Sequence, residues 1–237
     1  MSRRFFCQPL PDGVDTVTLD DAESHHLRTV LRARDGQTVE LLDGVGGRAT
    51  ATVVPDNARR GPVSLRLHAL SRQPEPPVRP VLYVAPPRAK LMDHLLRQAT
   101  ELGLWCLRPI ITERSVATPP DAAVAGWLDT AREACKQSGN PWLPTIEPPR
   151  KLADALSADP PGGYIAWLDP QDSRPGAARP DVAVGEQAIW IGPEGGFSPE
   201  EAEAICRAGA RPIGLGPHIL RTETAVVAAL ALMHAAN

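Results

Sequence analysis

Ala188-Ile-Trp-Ile-Gly-Pro-Glu-Gly-Gly-Phe-Ser-Pro-Glu-Glu201 is the stretch that decides how this chain is read. A short apolar run of strand type, Ala188 to Ile191, empties into a glycine-rich turn that opens a helix. Ser198 is placed to cap that helix, Pro199 takes its first position, and Glu201 falls where a capping-box carboxylate reaches back to the cap N–H. The pattern returns at Leu215-Gly-Pro-His-Ile-Leu-Arg-Thr-Glu-Thr-Ala225, fed by Pro212 to Leu215. The helix it opens, Thr222 to Ala236, is so rich in apolar residues and alanine that most of its circumference must be buried. Two glycine-rich loops leaving the carboxyl ends of strands are therefore expected side by side, where open α/β sheets place their ligands.

Upstream of this stretch, strands and helices alternate: Val81 to Ala85, Lys90 to Leu102, Leu107 to Thr112, Asp121 to Ser138, Thr145 to Glu147, Leu152 to Leu156 and Tyr164 to Leu168, followed by a proline-rich loop from Asp169 to about Gly185. That rhythm predicts a mostly parallel sheet with helices on both faces. Residues 72–80 contain four prolines in nine positions, which excludes a helix interior or a central strand and marks a linker. The expected domains are thus 1–72, a linker at 73–80, and 81–237. Before the linker, short strand-type runs (Arg4 to Gln8, Val14 to Leu19, Thr38 to Leu42, Arg48 to Val54, Val63 to Leu70) surround one helix from about Asp21 to Ala33, with Leu27, Val30 and Leu31 as its core stripe. Leu42-Asp-Gly-Val-Gly-Gly-Arg48 reads as a hairpin connection, and the whole as a small β-barrel of the kind used to hold RNA.

At 237 residues and 43% hydrophobic the chain can build a core without staples. The N-terminus runs into prolines, with no signal-peptide core and no apolar run long enough for a membrane span, so a cytoplasmic protein is expected. Cys7, Cys106, Cys135 and Cys206 are scattered, which fits neither a disulfide framework nor a zinc site. His25-His26 are adjacent on a helix and point apart, so no metal is expected there either. The net charge of −3 does not by itself announce a nucleic-acid binder, although arginines cluster at Arg3-Arg4, at Arg28, Arg32 and Arg34, and at Arg59-Arg60.

The glycine loops fit neither a P-loop nor a dinucleotide fingerprint, and no lysine stands beside Gly195-Gly196. Glu194 would repel a phosphate cradled by the turn, so a cationic or uncharged ligand fits better. S-adenosylmethionine, which carries a sulfonium and no phosphate, is such a ligand.

These two segments, with Ser24-His-His-Leu-Arg-Thr-Val-Leu-Arg32, Ala99-Thr-Glu-Leu-Gly103, Thr112-Glu-Arg-Ser115 and Glu133-Ala-Cys-Lys-Gln-Ser138, resemble in order the signatures of the RsmE family, bacterial 16S rRNA uridine-N3 methyltransferases of the SPOUT class. The resemblance implies an N-terminal PUA-like barrel, a C-terminal α/β domain tied in a trefoil knot, a homodimer, and methylation of uridine 1498 in the 30S subunit's RNA. It places the cofactor against Trp167 and Leu168, against Gly192, Pro193, Glu194, Gly195 and Gly196, and against Leu215, Gly216, Ile219, Leu220 and Arg221. It also implies an RNA surface that includes Arg3, Arg4, His25, His26, Arg28, Arg32 and Arg114. The chain departs from the pattern at Gly139-Asn140, where an arginine is expected after Ser138, and at Arg97, near which a lysine is expected.

Methylation of a uracil N3 is an in-line displacement at a sulfonium methyl, so the protein must mainly align the ring and help the imide proton leave. Glu194, Arg221 and Glu223 are the candidate catalytic residues: a carboxylate to accept the proton, an arginine for the charge left on the uracil oxygens. The alternative function is an RNA-binding ribosome assembly factor whose loops hold no cofactor.

Overall fold

A computed structural model describes residues 4–30, 32–55, 61–158, 162–167 and 183–235, with Trp167 described in its backbone alone. The chain forms two compact units, Met1–Glu75 with Arg132–Leu143, and Pro76–Ala131 with Pro144–Asn237.

In the first unit, β1 (Arg4–Phe6), β2 (Thr16–Thr18), β3 (Thr38–Leu42), β4 (Gly47–Val53) and β5 (Ser64–Arg72) make a five-stranded sheet in the order β1-β3-β4-β5-β2. The β1–β3 pair is parallel and the others are antiparallel. Phe5, Leu10, Leu19, Leu27, Leu41 and Leu65 fill its core. The β3–β4 hairpin closes on Asp43, whose buried carboxylate accepts the N–H groups of Val45 at 2.9 Å and Gly47 at 2.7 Å. Buried thiols are poor nucleophiles here: burial pushes Cys7 up to about 11 and Cys135 up to about 12.

The single helix expected over Asp21 to Ala33 is shorter. It is α1 (Asp21–His25), capped by Asp20, and the chain continues in a π-helical turn, His26–Val30. Ser24 pins α1, its hydroxyl donating to the Leu19 carbonyl and accepting the Val63 N–H. The wider π turn rotates the expected core stripe, so Leu27 is buried while Val30 is 62% exposed. Leu31 lies outside the described residues, and Arg32 adopts a left-handed φ of 47°.

Residues 132–143 complete this unit. Lys136 Nζ reaches Glu23 at 2.8 Å and Glu133 at 2.5 Å, and Arg4 donates to the carbonyls of Lys136 and Gln137. Burial works against the Lys136 cation, but its two carboxylate partners outweigh that and hold it protonated. Glu23 has one base against two neighbouring acids, and burial raises its carboxyl above the ordinary range.

The second unit is built on parallel strands. Its elements are β6 (Val78–Val84), α2 (Ala89–Glu101), β7 (Cys106–Ile111), α3 (Ala123–Ser138, whose last turns belong to the first unit), β8 (Thr145–Ile146), β9 (Arg150–Lys151), α4 (Leu152–Ala158), β10 (Gly163–Trp167), β11 (Gly185–Ile191), α5 (Pro199–Arg207), β12 (Ala210–Gly214) and α6 (Thr222–Ala235). The sheet runs β12-β10-β11-β6-β7-β8, with β9 also on β7. Val81 to Val84 and Ala188 to Ile191 are buried on both faces, so these central strands read as continuous apolar runs. Tyr83 and Trp190 stack with centroids 3.9 Å apart under α4 and α5, each such burial contributing about 1.5–3 kcal/mol.

The linker expected through residue 80 ends earlier, because Val78, Arg79 and Pro80 already pair with β11. Pro80 is tolerated in this central strand because β7 pairing begins only at Val81. The Pro80 carbonyl faces that side and accepts the Trp105 N–H, so its missing donor falls before the β7 ladder starts. The chain path of the expected knot includes the 168–182 connection, which lies outside the described residues.

Candidate functional site

Strand order alone gathers the three expected cofactor loops. β10 lies between β12 and β11 and parallel to both, so the chain leaves all three neighbouring strands at the same edge of the sheet. The first of these loops, Leu168 onward, lies outside the described residues; the second is Gly192–Ser198 and the third Leu215–Arg221.

The second loop begins where Ile191, buried in β11, accepts the Ala85 N–H at 3.1 Å. Its turn closes with the Gly196 N–H donating to the Pro193 carbonyl at 2.8 Å. Gly192 is required by close approach: a Cβ there would stand 3.0 Å from the Phe197 nitrogen. Gly196 instead needs its backbone freedom, with φ at 69° and nothing within 4 Å of a Cβ position. Pro193 is buried, whereas Glu194 and Gly195 are exposed at the tip. Ser198 and Glu201 form the full capping box, the Ser198 N–H donating to Glu201 Oε2 at 3.0 Å and the Glu201 N–H to Ser198 Oγ at 3.3 Å.

The third loop is joined to the second by one hydrogen bond. Thr222, the buried first residue of α6, donates from Oγ1 to the Gly192 carbonyl at 3.3 Å. This sets Arg221, exposed, and Glu223, half-buried in the first turn of α6, next to the residues that flank the glycine turn. Leu215 and Leu220 are half-buried, Gly216 is open, and Ile219 is 70% exposed. Loop walls with exposed backbone, open space at Gly196 and Gly216, and an exposed carboxylate at Glu194 suit a ligand that is read by backbone groups and carries no phosphate. Those residues fit S-adenosylmethionine.

A fourth segment supports the glycine turn, and the sequence reading did not foresee this role. Thr112 and Ser115 bond to each other, the Thr112 N–H donating to Ser115 Oγ at 2.8 Å, and close a turn at the end of β7. From it Arg114 donates to the Gly195 carbonyl at 2.9 Å, and the Glu113 N–H donates to Glu201 Oε1 at 2.8 Å. Arg114, expected on an RNA surface, is thus a strut under the glycine turn. The clue lay in the Thr-Glu-Arg-Ser motif, but its partners are more than 80 residues away.

The remaining expected RNA residues lie in the first unit. His25 is exposed and its Nδ1 is 3.4 Å from Thr29 Oγ1; His26 is half-buried, edge-on to Phe5. Arg28 donates to the Gly61 carbonyl, and Arg32 is exposed beyond the π turn. Arg4 is committed to Glu40 at 2.6 Å and to the carbonyls at the end of α3, while Arg3 lies outside the described residues. Arg4 also packs on Gly139, and Asn140 caps the following turn by accepting the Trp142 N–H at 3.0 Å. Among the described residues no His, Cys, Asp and Glu cluster could hold a metal, and no helix is long and apolar enough to cross a membrane.

Comparison with known proteins bears on this site. Residues 74–234 match the RNA methyltransferase domain family, and residues 19–59 the RNA methyltransferase PUA domain. The chain is 32% identical to ribosomal RNA small subunit methyltransferase E of Synechocystis, over 93% of this chain and 73% of that protein. It is 31% identical to the Mycobacterium bovis protein of the same name, over 95% and 88%. The crystal structure of the Neisseria gonorrhoeae ribosomal RNA small subunit methyltransferase E, bound to S-adenosylmethionine, superposes with a TM-score of 0.88 at 28% identity, covering 99% of this chain and 98% of that one. A Legionella pneumophila methyltransferase in complex with the same cofactor gives 0.87 at 27% identity, over 100% and 98%.

Proposed function

The chain belongs to the ribosomal RNA small subunit methyltransferase E family, and from that membership we propose that it methylates N3 of a uridine in small-subunit ribosomal RNA. It is an enzyme of SPOUT class with a PUA-like N-terminal unit, and its cofactor is S-adenosylmethionine. A cofactor-free assembly factor is not favoured by relatives of this kind. The observation that carries the reading is the match of residues 74–234 to the RNA methyltransferase domain family, and the Thr222–Gly192 hydrogen bond, which joins the two glycine loops, agrees with it.

S-adenosylmethionine supplies an electrophilic methyl on a sulfonium. The glycine loop residues Gly192 to Gly196, with Leu215, Gly216, Ile219, Leu220 and Arg221, would hold it, and the assignment extends to Trp167 and Leu168. The Gly192–Gly196 turn is held by the Arg114 strut and, through the capping box, by the Glu201 carboxylate, which leaves this loop little ordering to do when the uridine arrives. Arg221 faces the charge that develops on the uracil oxygens, and Glu194 or Glu223 takes the imide proton. His25, His26, Arg28 and Arg32 form the RNA-facing edge of the first unit, with Arg4 beside it, and Arg3, outside the described residues, is assigned to the same RNA surface. Ile219, so exposed on the loop, suits burial against a second copy in a homodimer, and the reaction belongs in the cytoplasm with the ribosome.

The test is to incubate the protein and cofactor with 30S subunits and with naked ribosomal RNA, and to map the modified base. Methyl at a uridine N3 is expected; methyl on ribose or on protein would overturn the reading.

A further inference from the structure

A cleft of about 280 Å³ opens in the second unit, lined by no residue of either glycine loop. Tyr83 on β6 and Arg108 on β7 are register partners and form its floor. Glu147, Pro148, Arg150, Ala155 and Ala158 supply the walls. On the neighbouring strand β11, Trp190 stacks against the other side of Tyr83 and fixes its ring.

The charges are arranged unequally. Arg108 donates from Nε to Glu147 Oε1 at 2.8 Å and from Nη1 to the Tyr83 hydroxyl at 2.5 Å. Arg150 Nη2 meets the other carboxylate oxygen, Oε2, at 3.1 Å. Two guanidiniums therefore share one carboxylate, and the cleft keeps a net charge of about +1 with both oxygens of Glu147 already engaged. Burial works against the Arg108 cation, but the Tyr83 and Glu147 hydrogen bonds outweigh it and hold the charge firmly in place. The Arg150 side chain remains 49% exposed at the mouth, and alanines on α4 keep the opposite wall low. A half-exposed guanidinium beside a second, fixed one, in a small cleft of net positive charge, matches a phosphate oxygen better than it matches an apolar ligand.

We propose that this cleft seats a backbone phosphate of the RNA substrate, outside the target uridine's own site. The inference rests on the ribosomal RNA reading above. Its position gives it a second consequence: β7 runs from Arg108 directly into the Thr112–Ser115 turn, whose Arg114 supports Gly195. The cleft and the strut of the cofactor loop thus share one strand.

Arg150→Gln tests the assignment, since it removes one guanidinium and leaves the half-buried Arg108–Glu147 pair in place. Binding of small-subunit ribosomal RNA is measured against salt concentration, and methyl transfer against RNA concentration. The log–log salt slope should fall by about 1, the RNA affinity by roughly 3- to 10-fold, and KM for RNA should rise to match, with kcat and S-adenosylmethionine binding unchanged. Arg150→Lys should restore the slope. A wild-type slope and KM in Arg150→Gln would overturn the proposal. So would saturable binding of adenosine monophosphate that Arg150→Gln abolishes while RNA binding stays wild-type, which would make the cleft a free-nucleotide site. Failure of the ribosomal RNA reading looks different: the wild-type protein itself would then transfer no methyl to the RNA.

Discussion

Gly192 concentrates the demands made on single positions. Its carbonyl accepts from Thr222, and a Cβ added to it would stand 3.0 Å from the Phe197 nitrogen, so a side chain there must push the turn aside. Gly192→Ala should therefore weaken S-adenosylmethionine binding by about tenfold or more, about 1.4 kcal/mol; calorimetric titration of the folded variant with the cofactor checks it. The catalytic carboxylate is separable by pH. Of Glu194→Gln and Glu223→Gln, the variant that removes the proton acceptor should lose about 10²-fold in kcat and flatten the acid limb of kcat/KM, while the other keeps that limb. Glu40 and Glu23 titrate in opposite senses. Burial raises the Glu40 carboxyl, but hydrogen bonds from Arg48 and Arg4 outweigh it, leaving the folded value below the ordinary one. Its stabilisation is complete above the unfolded value of about 4.3 and is lost as pH falls through the lower folded value, so Glu40→Gln should lessen the loss of stability as pH falls below about 4.3 in urea melts. Glu23, raised by burial, costs stability at neutral pH and recovers it on protonation, so it cannot cause acid unfolding.

Local grammar was legible wherever its partners are close in sequence. The run from Ala188 to Glu201 announces strand, glycine turn and capped helix because Ser198 and Glu201 are three residues apart, and the structure forms that capping box. The π turn at His26–Val30 carries no comparable signal, since hydrogen bonds one residue longer than α-helical ones leave the same residue types in place. Long-range supports are the least legible: Glu201 also accepts the Glu113 N–H, and nothing near either residue says so. The two roles can be dissected. Ser198→Ala removes only the cap and should cost about 1 kcal/mol in thermal melts with modest effect on cofactor affinity. Glu201→Ala removes the box and the tie to the β7 turn together, and should weaken cofactor binding more than Ser198→Ala does.

Taken as a molecule, the chain carries its chemistry in the second unit and its expected RNA edge in the first. The parallel sheet was legible from the alternation of strands and helices, and the family from six ordered motifs. What the motifs could not reveal was why Glu133-Ala-Cys-Lys-Gln-Ser138 sits where it does: its lysine binds Glu23, 113 residues earlier, inside the first unit. The proposed homodimer predicts a sedimentation mass near twice the formula mass of 25.4 kDa; a value near 25.4 kDa would contradict it. The Lys136–Glu23 pair, the Arg4 bonds to the end of α3 and the Trp142–Val45 bridge also set an order of events during synthesis. The unit that begins the chain is closed by residues 132–143, so it is completed only after β6, α2 and β7 have left the ribosome. A protein released early at Glu75 would carry a five-stranded sheet without its closing segment, and the first unit to start folding is not the first to finish.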